Sequence, residues 1–163
     1  MENSDDQNIE LIIDPEDTSS GPETITHPFN PNEIEIETPP FTVGYLIDHL
    51  THEEINMNTE FQRENNLWSD EKQSRLIESI LLGLPLPAFY FDTSNDKWDI
   101  IDGLQRCCSF ENFCVKKTLK LTGLEFLAKK DGEDYLEGKG YDDLDRTLQR
   151  SIITRPITVN KIK

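Results

Sequence analysis

Residues 98–106 read Trp-Asp-Ile-Ile-Asp-Gly-Leu-Gln-Arg, and this stretch decides both the fold class and the place of a candidate site. The apolar residues before Asp102 are typical of a strand, and a helix is predicted to begin directly after Gly103. Glycine permits a backbone path that other residues avoid, and the first N–H groups of a helix have no acceptor within it. The arrangement therefore predicts binding of a phosphate group, alone or with a metal ion.

Helices and strands are expected in mixed order on both sides of this turn. Apolar spacing, with Thr42 and Ser69 as caps and Gly83 as a stop, predicts helices over residues 43–50, 70–82, about 104–116, and from Asp142 or Asp143 to about 153. Extended segments are predicted at residues 55–57, 88–91, 97–101 and 157–162, with a strand or turn at 119–121 and a loop over 129–143. The order predicts a single α+β domain over residues 39–163.

The first quarter of the chain has a different composition from the rest. Residues 1–40 contain eleven Asp or Glu and no Lys or Arg, so they contribute −11 of the net charge of −16. They also hold six of the nine prolines. Such a segment buries too little apolar surface to offset the entropy of ordering, which predicts a disordered acidic tail over residues 1–38. Docking of the short apolar patches 9–13 and 34–36 on the domain or a partner is the alternative.

The sequence favours a cytoplasmic protein that does not enter a membrane. The acidic N-terminus lacks the apolar run of a signal peptide, and no stretch approaches the roughly 20 apolar residues that span a bilayer. The cysteines, Cys107, Cys108 and Cys114, are odd in number and lack the spacing of a zinc site. Reduced thiols are expected, and buried packing is favoured over a redox role for Cys107 and Cys108.

Polar residues near the turn each have a functional and a structural interpretation. Asp102 can hold a metal ion or orient a water, but its position before a helix slightly favours a capping role. Gln105 and Arg106 lie within the first helical turn and can reach an anion. For Trp68 and Trp98, packing at the core or its rim is favoured over base stacking.

Three further polar groups come from the preceding helix and the segment before it: Gln62 with Arg63, Lys72 with Gln73 and Arg75, and Glu78. A solvated face or a surface ion pair is the favoured interpretation of Arg63 and Arg75 on sequence alone. Glu78 is expected to face solvent or to pair with Arg75 or Arg106.

Three motifs in this order carry a resemblance to a known family. They are Phe61-Gln62-Arg63, the run from Gln73 to Pro87 that follows Trp68-Ser69, and the run from Ile101 to Arg106. Over about residues 41–162 the chain resembles the N-terminal domain of GmrSD-type restriction systems, which is similar in fold to the ParB and sulfiredoxin group. The resemblance implies a ParB/sulfiredoxin-like fold, with nucleotide binding and hydrolysis coupled to defence against foreign DNA.

The resemblance also implies roles for individual residues. The family signature Asp-Gly-Gln-Gln-Arg corresponds to residues 102–106, where Leu104 replaces the first Gln. Asp102 and Arg106 are the implied catalytic residues, and Asp102 is the candidate Mg²⁺ ligand. The candidate set for binding ATP, GTP or CTP is Gln62, Arg63, Gln73, Arg75, Gly103, Gln105 and Arg106. Leu104 cannot form a side-chain hydrogen bond, and a loss of roughly 1 kcal/mol weakens turnover without abolishing the site.

Two other functions remain open at this stage. A ParB-like DNA-binding or nuclease module needs clustered cations, which only Lys116, Lys117, Lys120, Lys129 and Lys130 offer in an acidic chain. An interaction protein with a degenerate nucleotide site is the other alternative, with the acidic tail occupying the cleft. Many members of the family carry a C-terminal nuclease of the His-Asn-His type, so a DNA or nuclease partner is expected, and a homo-oligomer is left open.

Overall fold

The computed structural model describes residues 34–58 and 67–163. The predicted tail up to residue 33 and the motif residues Gln62 and Arg63 lie outside these ranges. The helices are α1 (Val43–Thr51), α2 (Asp70–Leu82), α3 (Leu104–Phe110) and α4 (Arg146–Ile153). The strands are β1 (Ile36–Glu37), β2 (Phe41–Thr42), β3 (Ile55–Asn56), β4 (Phe89–Asp92), β5 (Trp98–Asp102), β6 (Lys129–Lys130), β7 (Glu133–Asp134), β8 (Pro156–Ile157) and β9 (Val159–Ile162).

The first two helices begin where their sequences predict, and α2 also ends there, whereas α1 extends one residue beyond the predicted end, to Thr51. The Thr42 hydroxyl accepts a hydrogen bond from the amide of Tyr45 at the start of α1, and the Ser69 hydroxyl accepts one from Lys72 at the start of α2. Gly83 ends α2 with φ +81, a left-handed conformation that glycine adopts without a steric penalty. The predicted caps are therefore confirmed.

A mixed five-stranded sheet carries the candidate site. Its strand order is β1-β9-β4-β5-β3. The predicted hairpin is the antiparallel pair β4 and β5, while β9 runs parallel to β4 and β3 runs parallel to β5. Phe89 and Phe91 are fully buried and Tyr90 between them is exposed, so one face of the sheet packs on the helices. The chain is an α+β protein, as predicted.

Several predicted elements differ from the structure in detail. The last helix begins at Arg146 because Asp145, not Asp142 or Asp143, caps it by accepting from the amide of Leu148. The expected strand over 157–162 is divided at Thr158, so that β8 pairs with β2 and β9 with β4. Residues 119–121 form no strand.

The helix predicted over 104–116 and the loop predicted over 129–143 also need correction. The helix leaves α geometry after Phe110 and continues as a π-helix, Glu111–Val115. The loop contains the hairpin of β6 and β7, whose turn is Asp131-Gly132 with φ of +54 and +88. A short 3₁₀ turn, Tyr141–Asp143, follows.

The sheet reaches into the segment that the sequence assigns to the tail. Ile36 and Glu37 pair with β9, and Glu35 exchanges backbone hydrogen bonds with Lys163. For residues 34–36, docking on the domain is therefore the interpretation that the structure supports. No helix in the described part of the chain is both long and apolar enough to cross a bilayer.

Candidate functional site

The turn after β5 is shaped by a bulge and a glycine. The register between β4 and β5 shifts between Tyr90 and Phe91, so that Phe91 pairs with Ile100 while Tyr90 pairs with Asp102. Such irregularities re-aim the side chains that follow them. Gly103 then adopts φ +108, and a Cβ there would lie 2.6 Å from Cδ1 of Phe89. Both the backbone angle and the contact require glycine at this position.

Asp102 does not cap the following helix, so the capping interpretation is wrong. The N-cap position belongs to Gly103, which offers no side-chain hydrogen bond. The Asp102 side chain is 64% exposed, and its Oδ2 accepts a hydrogen bond from the Arg106 guanidinium at 3.0 Å. The turn thus presents to solvent a carboxylate oriented by a neighbouring cation.

Arg106 lies beneath the turn and is largely buried. Its guanidinium donates to the backbone oxygens of Pro87 and of Ala88, the latter at 3.1 Å, and packs 4.2 Å from the ring centroid of Phe89. These contacts join the start of β4 to Asp102. Arg106 therefore supplies positive charge to the turn while most of its donors hold the protein together.

A pocket of about 470 Å³ opens at this turn. Residues 102–106 form one part of its lining, and Trp68, Ile100 and Ile101 form the rest. The first intrahelical hydrogen bond of α3 runs from the amide of Cys107 to the oxygen of Gly103, so the preceding amides have no acceptor within the helix. The pocket thus combines an apolar wall with a carboxylate and the positive end of a helix.

Trp68 is held at the pocket through its main chain. Its amide donates to Oε1 of Gln105 at 2.9 Å, and its carbonyl accepts from Nε2 of Gln73 at 2.8 Å. Gln73 is buried and in turn accepts a hydrogen bond from Asn112 at 3.0 Å. Of the predicted nucleotide-binding residues, Gln105 lines the pocket, whereas Gln73 acts from behind it by fixing Trp68.

The Phe61-Gln62-Arg63 motif lies between the two described segments, the first of which ends at Asn58. The chain is described again from Leu67, and Trp68 lines the pocket. Gln62 and Arg63 lie in the interval, outside the described residues, and their role stays a prediction.

Arg75 does not line the pocket. It contacts Glu71 at 3.2 Å, Glu125 at 3.3 Å and the oxygen of Gly123 at 3.3 Å. Glu78 pairs with neither Arg75 nor Arg106, which corrects both sequence-based alternatives for this nearly buried residue. The structure thus directs both side chains toward a different part of the molecule.

That part is an irregular loop, residues 122–127, which we call the carboxylate-held loop. The Glu78 carboxylate accepts from the amides of Glu125, Phe126 and Leu127 at 3.1, 2.7 and 2.7 Å. The remaining amides, of Thr122, Gly123 and Leu124, donate to the Ser74 hydroxyl and to the Glu137 carboxylate. Side chains therefore accept all six successive amide hydrogens of the loop.

The lysines that offered a DNA-binding patch are mostly engaged with acidic or aromatic neighbours. Lys116 lies 2.8 Å from Glu111, Lys117 lies 2.7 Å from Asp142, and Lys120 lies 3.8 Å from Asp143. Lys130 lies over the Tyr135 ring, at 5.3 Å from its centroid. These contacts reduce the positive potential that nonspecific DNA binding requires.

The cysteines pack inside the domain, as predicted. Cys107, Cys108 and Cys114 are buried and form no disulfide. Burial raises the pKa of Cys114 to about 12 and also raises that of Cys107, which keeps both as thiols near neutral pH. Residues 34–58 and 67–163 contain no cluster of three His, Cys, Asp or Glu side chains that could hold a metal ion by themselves.

The described residues define an α+β domain with an open pocket at a strand–turn–helix junction. Its sequence matches the family described as the N-terminal domain of the GmrSD restriction endonuclease over residues 46–162. The chain belongs to this family, which confirms the resemblance drawn from the three motifs. Comparison with curated proteins and with solved structures gave no match.

Proposed function

We propose that this chain is a domain of a restriction system that binds a nucleoside triphosphate and hydrolyses it. Family membership supports the restriction role. The observation that carries the nucleotide proposal is Asp102, an exposed carboxylate held by Arg106 at a helix start beside a pocket of about 470 Å³. That volume lies within the range of small-molecule sites. We also propose that the fold is ParB/sulfiredoxin-like.

The proposal gives each residue of the turn a distinct task. Gly103 lets the backbone approach the phosphates, and the amides that open α3 face their negative charge. Arg106 positions Asp102 and contributes positive charge without leaving its carbonyl partners. Asp102 orients the attacking water or holds the cation that accompanies the phosphates.

A single carboxylate is compatible with Mg²⁺ at this site. Mg²⁺ keeps several waters and is commonly bound by one or two protein carboxylates together with substrate phosphates. Asp102 has that chemistry, since one of its oxygens contacts Arg106 and the side chain remains exposed. Bound Mg²⁺ would neutralise phosphate charge, and ATP, GTP and CTP are all candidates for the nucleotide.

The residues that line the pocket reduce the set of candidate nucleotide-binding residues. Gly103, Gln105 and Arg106 remain candidate nucleotide-binding residues because they line the pocket. Gln73 enters only as a support for Trp68, and Arg75 is left out because it pairs with carboxylates elsewhere. Gln62 and Arg63 remain predicted members of the set.

Titration with ATP, GTP and CTP in the presence and absence of Mg²⁺ tests the proposal, with phosphate release measured in parallel. Asp102→Asn should abolish Mg²⁺-dependent phosphate release and weaken Mg²⁺-dependent nucleotide binding roughly tenfold, because the asparagine amide carries no negative charge. Asp142→Asn is the matched control, since it removes another exposed, ion-paired carboxylate outside the pocket. Equal behaviour of both variants and the wild type would exclude the assigned site.

Leu104→Gln provides a test in the opposite direction. It restores the family signature that the resemblance identifies and adds a hydrogen-bonding group to the pocket wall. We expect phosphate release to rise severalfold, as one added hydrogen bond is worth roughly 1 kcal/mol. An unchanged rate would show that position 104 does not contribute to turnover in this chain.

A further inference from the structure

Trp68 has the placement of a recognition residue rather than of simple core packing. It borders the pocket together with Ile100, Ile101 and Leu104, so apolar residues make up part of the pocket lining. It is partly buried and packs against the hydrophobic core. Trp68 therefore belongs both to the rim of the core and to the pocket lining.

The main chain of Trp68 is fixed before a ligand arrives. Gln105 accepts its amide hydrogen and Gln73 donates to its carbonyl, and Asn112 holds Gln73. Gln105 belongs to the first turn of α3, so the same helix start that borders the phosphate region also sets the position of the ring. Such preorganisation reduces the entropy lost when an aromatic ligand stacks.

Positive charge lies close to the same ring. Lys72 is on the first turn of α2, and its Nζ lies 4.6 Å from the centroid of the Trp68 ring. Arg106 supplies a second cation to the pocket lining. A ligand that carries both an aromatic ring and negative charge matches this combination better than an apolar molecule or an inorganic anion does.

We infer that Trp68 is the base-binding residue of this pocket and that it recognises the nucleotide base by stacking rather than by hydrogen bonds. This inference rests on the proposed function. Stacking is tolerant of base identity because every base has an aromatic face. Leu104, which stands where the resemblance places a Gln, removes one hydrogen-bonding group that could discriminate between bases. The pocket therefore accepts purine and pyrimidine nucleotides, with purines bound more tightly because their rings are larger.

Binding measurements with ATP, CTP and inorganic tripolyphosphate, each with Mg²⁺, separate the base from the phosphates. Trp68→Ala should weaken ATP binding roughly tenfold or more and CTP binding less, in line with base–aromatic stacking. Tripolyphosphate affinity should stay unchanged. Trp68→Phe, which keeps a ring, should bind ATP within about threefold of the wild type, and Trp98→Phe controls for a change to the other tryptophan.

Fluorescence supplies a direct reading of the contact, because Trp68 and Trp98 are the two tryptophans of the chain. In the Trp98→Phe protein, ATP should change the emission of Trp68 and tripolyphosphate should not. The inference is overturned if Trp68→Ala binds ATP as the wild type does, or if it loses ATP and tripolyphosphate by the same factor. Failure of ATP to bind the wild type would instead overturn the proposed function, and the inference with it.

Discussion

In two loops of this domain several successive backbone N–H groups lie close together, and the two loops differ in what accepts their hydrogen bonds. In the carboxylate-held loop, residues 122–127, side chains of the protein accept every amide hydrogen. At the Asp102-Gly103 turn, the amides that open α3 have no acceptor within the helix and border a pocket. The carboxylate there, Asp102, contacts a guanidinium instead of amides. Carboxylates from elsewhere in the domain give the first loop a structural role, whereas the turn directs its carboxylate toward a guanidinium and a pocket.

The largest loss of stability is expected from removing the Glu78 carboxylate, which accepts three amide hydrogens of the carboxylate-held loop. Glu78→Ala leaves three amides without their acceptor in a site that is 4% exposed, and it should lower the free energy of unfolding by about 3 to 5 kcal/mol. Urea denaturation measures this loss. Glu78→Gln keeps one carbonyl oxygen and should cost about half as much.

Glu78→Gln should affect stability without affecting the pocket. Glu78→Gln should leave nucleotide affinity unchanged, because Glu78 does not line the pocket. Glu125→Gln is a matched control, since its exposed carboxylate pairs with Arg75 at 3.3 Å and should contribute less than about 1 kcal/mol. A stability change as small as that of the control would refute the role assigned to Glu78.

A smaller effect is expected at the glycine of the second loop. Gly103→Ala imposes a left-handed backbone on alanine and places its Cβ against Phe89, so a loss of about 2 to 3 kcal/mol is expected. Gly132→Ala shares the positive φ but has no atom within 4 Å of the added Cβ, and it should cost about 1 kcal/mol. Thermal or urea unfolding of both variants measures these losses, and their difference gives the share that is caused by the contact with Phe89.

The losses at these two glycines separate the steric contact from the backbone strain. Equal losses for Gly103→Ala and Gly132→Ala would mean that the close approach to Phe89 relaxes without cost. In that case the turn would tolerate a side chain, and its geometry would not depend on glycine for lack of space.

The smallest effect concerns pH. The amide of Gly123 is the main cause of a lowered pKa for the Glu137 carboxyl, with the amide of Leu124 and the Thr122 side chain contributing. A group with a depressed folded-state pKa stabilises the protein above its unfolded pKa of about 4.3, and this contribution is lost as the pH falls through the folded-state value. Urea midpoints of the wild type and Glu137→Gln should therefore differ slightly at pH 7 and converge in acid. A constant difference across that range would contradict the assignment.

Local patterns in the sequence predict much of this fold. The caps at Thr42 and Ser69 and the stop at Gly83 define two helices, because each effect acts within one helical turn. The hairpin β6–β7 was also detectable, since Asp131-Gly132 is a typical two-residue hairpin turn inside the segment assigned to a loop.

Contacts between distant parts of the chain account for what the sequence did not predict. Glu78 finds its amide partners 47 to 49 residues away, and Trp68 finds Gln105 at a separation of 37 residues. No local pattern specifies such pairs. The position of the Asp102-Gly103 turn was predictable because strand, turn and helix are contiguous in the sequence, whereas the apolar lining of the adjacent pocket depends on the three-dimensional arrangement.

The carboxylate-held loop has a consequence for hydrogen exchange. Amide hydrogens in irregular segments ordinarily exchange with solvent deuterium quickly, because water reaches them without any opening of the fold. Residues 122–127 belong to no helix or strand, yet an acceptor occupies each amide. Exchange should be slow at Thr122 and at residues 125–127, and there it should report the opening of α2, which carries their acceptors Ser74 and Glu78. An exchange map would thus show an irregular loop that shares the protection of a helix about fifty residues earlier in the chain.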